Sequence, residues 1–210
     1  METWLVPTPR GPAEVDLTWP EGTSVALLAL GHGAGGGVDA PDLRAVRRAA
    51  LASGVAVARV TQPYRVAGRR APAPAPHLDQ AWIEVLRGLR GDRERSWLGR
   101  LPLVAGGRSS GARVACRTAT AVDAAAVVAL AFPLHPPGRP ERSRAGELDG
   151  AVPTLVVNGE RDPFGVPSPR PGVRVVVRPG ERHDLARDPD AVAATVLAFL
   201  RDVLPDRPPG

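Results

Sequence analysis

Between Leu101 and Cys116 the chain passes from an apolar run to a helical pattern through a hinge of glycine, arginine and serine, Gly106-Gly-Arg-Ser-Ser-Gly111. Leu101–Ala105 is short and wholly apolar, as a buried strand is, and Ala112–Cys116 is expected to open a helix. A strand that turns at once into a helix leaves no room for a Cβ two residues before or after the tip of the turn. Ser109 has Gly107 and Gly111 at those offsets, whereas Ser110 would have Arg108 and Ala112. Ser109 is therefore the residue at the tip. The pentapeptide G-x-S-x-G also describes a turn that merely packs, or that holds an anion at a helix N-terminus, so the rest of the chain has to decide its meaning.

Similar apolar runs recur at Val25–Leu30, Val55–Val60, Ala124–Leu130, Val152–Val157 and Val173–Val177. Helical patterns alternate with them. One runs from Pro41 to Ser53. A second carries Leu78, Ala81, Trp82, Val85, Leu86 and Leu89 on one face, and a third starts near Pro189 with Asp188 as its N-cap. This alternation predicts an α/β fold, a mostly parallel sheet with helices on both faces. Residues 2–6 and 13–19 are expected as edge strands of the same domain, so that 1–23 joins a core of 24–204, with 205–210 as a frayed tail. Thr61 to Pro76 is expected as a long loop.

Composition narrows the function. All 27 basic residues are arginine, and they are scattered through a chain with only four Trp, three Phe and one Tyr to stack on bases. The net charge of +5 is accordingly read as genomic compositional bias, and nucleic acid is not expected as a partner. No apolar run approaches the ~18 residues of a membrane span, so no membrane association is expected. The single Cys116 precludes an internal disulfide and fits a reducing compartment. No basic stretch followed by an apolar core opens the chain, so the expected location is cytoplasmic. Without H-E-x-x-H, a cysteine cluster or any lysine for a phosphate loop, no metal or other cofactor is expected.

Loops after successive parallel strands share one edge of the sheet, where ligands bind. Gly31–Gly37, Ser109, Asp162 and His183 all follow expected strands. A serine hydroxyl needs a base to take its proton, and His183 suits that task. The imidazole needs an acceptor on its other nitrogen, and Asp162 is the candidate. Backbone N–H groups of Ala34 and Ser110 are the candidate oxyanion donors. Gly33, Tyr64, Arg65, Arg108 and His135 are expected around the substrate, the arginines favouring acidic ones if they reach the rim. His32 and Cys116 are expected to be structural. The order Ser, Asp, His is that of the α/β-hydrolases.

Five segments then carry a resemblance: Gly31-His-Gly-Ala-Gly-Gly36, Gly106–Gly111, Phe132-Pro-Leu-His-Pro-Pro-Gly138, Asn158–Gly165 and Gly180–His183. Over roughly residues 24–203 the chain resembles the α/β-hydrolase family that includes subunit 3 of the nonspecific lethal histone acetyltransferase complex, a testis-expressed relative and many small bacterial proteins. It is more broadly similar to dienelactone hydrolases. The resemblance implies the α/β-hydrolase fold and the triad Ser109, Asp162, His183. It departs at Ser110, where that family more usually has Met, a change that keeps the backbone donor and alters the pocket floor. Too few residues separate the strands ending near Leu130 and starting near Val152 for a cap domain. The expectation is a serine hydrolase that cleaves small or exposed esters or thioesters through a Ser109 acyl-enzyme. Its rival is a catalytically silent interaction module or complex subunit, since some members of that family serve in assemblies.

Overall fold

The continuous apolar runs become the middle of one eight-stranded sheet in the computed structural model, which describes residues 2–204. The strands are β1 (Glu2–Val6), β2 (Ala13–Thr18), β3 (Ala26–Gly31), β4 (Val55–Thr61), β5 (Leu103–Arg108), β6 (Ala126–Leu130), β7 (Thr154–Gly159) and β8 (Val173–Arg178). They lie in the order β1-β2-β4-β3-β5-β6-β7-β8. β3 to β8 run parallel, and β1 and β2 add antiparallel at the β4 edge. The tail expected over 205–210 lies outside the described residues.

The helices are α1 (Pro41–Ala52), α2 (Pro63–Val66), α3 (Ala75–Arg90), α4 (Ser110–Thr118) and α5 (Pro189–Val203). Three helices open on proline. Pro41, Pro63 and Pro189 sit in first turns, where their missing N–H costs nothing. Asp188 caps α5 by accepting from the Ala191 N–H at 3.0 Å. The periodic face of α3 is wholly buried. One apolar layer joins α3 and α4 to Leu27, Ala29, Ala105 and Ala129, while the other joins α1 and α5 to Leu28, Leu30, Val104 and Val128. This gives an α/β-hydrolase fold with helices on both faces.

After β3 the chain crosses to β4 on one side, and after β5 it crosses to β6 on the other. The loops leaving β3 and β5 therefore diverge, and a crevice opens between them at the carboxyl edge. Ser109 and the glycine loop are the residues that border it. The 131–153 segment between β6 and β7 holds only a short 3₁₀ turn, Ala145–Glu147, and no cap domain.

The expected loop after β4 is shorter than the sequence suggests. Pro63 presets the backbone for α2, whose Pro63 and Tyr64 are buried, and α3 begins already at Ala75.

Candidate active site

Ser109 sits between β5 and α4 with φ 51° and ψ −111°, a conformation that L residues rarely adopt. Two contacts hold it there. Its N–H donates to the Leu130 carbonyl at the end of β6, 2.8 Å away. The two flanking glycines let the turn press on β3. A Cβ on Gly107 would stand 2.6 Å from the Gly31 carbonyl oxygen, and one on Gly111 would stand 2.5 Å from the same atom.

His183 and Asp162 converge on the serine from the β8 and β7 loops. His183 Nε2 lies 2.9 Å from Ser109 Oγ, and His183 Nδ1 lies 2.8 Å from Asp162 Oδ2. A carboxylate can only accept, so Nδ1 carries the proton and the Nε2 lone pair faces the hydroxyl. The Asp162 carboxylate is fully buried, and its other oxygen accepts from the Phe164 N–H at 2.9 Å. The Phe164 ring lies against the imidazole with 4.2 Å between centroids.

The glycine loop abuts the serine. A Cβ on Gly33 would lie 3.5 Å from that of Ser109. The shape of the loop is held from below. The backbone N–H of Gln62 donates to His32 Nε2 at 3.1 Å, so the His32 proton is on Nδ1 and is given to the Gly33 carbonyl at 2.8 Å. Burial pushes the His32 pKa down and keeps the ring neutral, as this role requires. Tyr64 donates its hydroxyl to the Ala34 carbonyl at 2.8 Å. Ser110 opens α4, where the first N–H groups have no partner within the helix.

Two expected substrate contacts are otherwise engaged. Tyr64 is 3% exposed and braces the glycine loop through its hydroxyl. Arg108 does not stand free at the rim: its Nε donates to Asp42 at 3.0 Å and its Nη2 to the His183 carbonyl at 2.8 Å. The reason is the fully buried Asp42 carboxylate in the first turn of α1, which draws the guanidinium inward. Burial pushes the Asp42 pKa up, against the pull of Arg108. Arg65 turns toward the Arg69 carbonyl at 3.3 Å. His135 places Nδ1 2.9 Å from the Pro136 carbonyl and lies over Gly165, one residue from the ring that packs on His183. Cys116 is a buried residue of α4 whose thiol burial pushes up to about 12, so it stays protonated.

Sequence reasoning missed the groups that hold these loops. Asn158, buried at the end of β7, accepts from the Phe132 N–H at 2.8 Å and donates to the Phe132 and Gly165 carbonyls at 2.9 and 3.1 Å. Glu181, 2% exposed, accepts from the N–H groups of Arg187 and Asp188 and so closes the loop that carries His183. Gly159 lets that loop pass, since a Cβ there would meet the Glu181 and Arg182 carbonyl oxygens at 2.4 and 2.5 Å. The one available signal was the apolar strand before Asn158. Among the described residues, no group of three His, Cys, Asp or Glu could hold a metal ion, and no helix is long and apolar enough to cross a membrane.

Residues 24–174 match a family model described as alpha/beta hydrolase domain. No curated protein matches the chain. Among solved structures, a lidless α/β serine hydrolase from Xanthomonas campestris is 21% identical with a TM-score of 0.75, covering 99% of this chain and 96% of its own. Dienelactone hydrolase from Anabaena variabilis is 18% identical with a TM-score of 0.76, covering 97% and 98%. An esterase from Pyrobaculum calidifontis is 16% identical with a TM-score of 0.69, covering 96% and 85%. At these identities the likeness is one of fold.

Proposed function

The chain belongs to the alpha/beta hydrolase domain family, and on that premise we propose that it is a serine hydrolase cleaving small or exposed esters or thioesters through a Ser109 acyl-enzyme. The observation that carries this reading is the unbroken chain from Ser109 Oγ to His183 at 2.9 Å and from His183 to a buried Asp162 at 2.8 Å. Within the family, the Arg108 elbow and Phe132–Gly138 support a place beside the branch that includes subunit 3 of the nonspecific lethal complex.

In this reading Ser109 Oγ attacks the acyl carbon while His183 Nε2 takes its proton. The carbonyl electron pair moves onto oxygen, where the Ala34 and Ser110 N–H groups receive it. Asp162 remains ionised and stabilises the imidazolium. The oxyanion collapses, the bond to the alcohol or thiol breaks, and His183 returns its proton to the leaving group. Water then adds to the acyl-enzyme by the same route and releases the acid. The absence of a cap domain between β6 and β7 supports acyl groups that approach an open edge.

A fluorophosphonate probe read by intact mass tests the reading. One adduct is expected on the wild type and none on Ser109→Ala. A folded wild type that takes no adduct would overturn it in favour of an interaction module.

A further inference from the structure

β2 runs antiparallel to β4, so Glu14 pairs with Thr61 and the β1–β2 turn is carried to the same sheet edge as Ser109. There Arg10, whose Nε donates to the Gln80 side-chain oxygen at 2.8 Å, lines a groove of about 660 Å³ together with Arg69, Arg70, His77, Tyr64 and the proline run before α3. No carboxylate lines this groove, and among the described residues no acidic side chain pairs with Arg10, Arg69 or Arg70. This contrasts with Arg59, Arg95, Arg108, Arg113 and Arg117, each of which meets an acid. α3 also begins at the groove with no acidic residue in its first turn, so its dipole adds to the positive field. A concave site with converging cations and no counterion selects an anion.

The groove is tied to the candidate site through one side chain. Tyr64 lines it and donates its hydroxyl to the carbonyl of Ala34, in the loop that borders Ser109. We propose that the groove binds the anionic part, a phosphate or a carboxylate, of the substrate whose acyl group Ser109 takes. This rests on the hydrolase reading for its last step only. The preference for acidic substrates then lies with Arg10, Arg69 and Arg70, since Arg108 is neutralised by Asp42.

Tyr64 is the sole tyrosine, so protein labelled with 3-fluorotyrosine gives one fluorine resonance from the groove. The test titrates Ser109→Ala with pyrophosphate and, separately, with succinate at constant ionic strength. This experiment needs no catalysis and stands or falls apart from the fluorophosphonate result. A saturable shift is expected, with affinity weakened about tenfold or more when Arg69→Ala and Arg70→Ala are combined. The exposed Arg93, on the link between α3 and β5, and the exposed Arg201 of α5 supply the charge-matched control, and Arg93→Ala combined with Arg201→Ala is expected to bind like the parent. Saturation by pyrophosphate alone identifies a phosphate-bearing ligand, and saturation by succinate alone a carboxylate-bearing one. No saturable shift with either anion, or an unchanged affinity in the double variant, overturns the site. In the active enzyme, the ratio of kcat/KM for a succinate half-ester to that for an acetate ester is expected to fall about tenfold in the same double variant. An unmoved ratio overturns the assignment of the site to substrate.

Discussion

Arg108 acts on His183 from behind. Its guanidinium spans a buried carboxylate of α1 and the backbone carbonyl of the histidine itself. Two links thus fix the imidazole: Asp162 sets the ring, and Arg108 sets the peptide that carries it. Losing the cation strands a charge, because Asp42 has no exposed surface. Arg108→Met is expected to destabilise the protein by about 3–5 kcal/mol in urea unfolding at neutral pH, as broken buried pairs do. The penalty should shrink as the solution is acidified. Burial already raises the Asp42 pKa with Arg108 present, and a carboxyl whose folded pKa exceeds its unfolded one gains stability as pH falls. Restoring neutrality by adding Asp42→Leu should recover much of the loss without recovering the rate of fluorophosphonate labelling, since the His183 carbonyl still lacks its donor. Equal recovery of stability and labelling would show that Arg108 acts through stability alone.

The elements meet through missing side chains, and this is testable one glycine at a time. α4 starts against the end of β3 at Gly111, and the His183 loop crosses the end of β7 at Gly159; a methyl group at either would meet carbonyl oxygens at 2.4–2.5 Å. Gly111→Ala and Gly159→Ala are each expected to cost about 1–3 kcal/mol and to slow labelling of Ser109. Gly36 lies in the loop after β3 with nothing within 4 Å, so Gly36→Ala should change stability by less than about 1 kcal/mol. Thermal unfolding of the three variants checks the order, and a Gly36 effect as large as the other two would refute the contact argument. The same elements mark what the sequence makes legible. A strand covered on both faces is a continuous apolar run, and α3 displays its buried face at helical spacing, so the layers can be read locally. Ser109, Asp162 and His183 can be read because each follows such a run. Asp42 and Glu181 cannot, because a carboxylate in a polar stretch looks solvated until its partner is known. The partner of Asp42 is 66 residues away. That is why Arg108 reads as a rim cation in the sequence and is an internal brace in the fold.

Across the whole molecule, charge does structural work where the fold offers no cap. The segment between β6 and β7 is joined to the helical layer by Glu147, which bonds Arg113 and Arg117 of α4, while Arg117 also bonds Asp79 of α3. Two partly buried carboxylates, Glu147 and Asp79, thereby tie three parts of the chain beside an open edge. Burial raises the Glu147 pKa, but the hydrogen bonds and charges of Arg113 and Arg117 outweigh it and hold the value below the ordinary carboxylate level. The sign of the linkage follows. A group that is more acidic folded than unfolded contributes stability above the unfolded pKa and loses it as pH falls through the folded one. Glu147→Gln is therefore expected to lower stability at pH 7 by about 1.5–3 kcal/mol, the size of a hydrogen bond to a charged group. As the pH falls below the ordinary carboxylate range and through the depressed folded value, the wild-type carboxylate itself takes a proton, and the two proteins should converge. Urea midpoints measured across this range decide it. A gap that stays constant into acid would mean that Glu147 contributes by packing, and that its carboxylate does not hold the segment to α4.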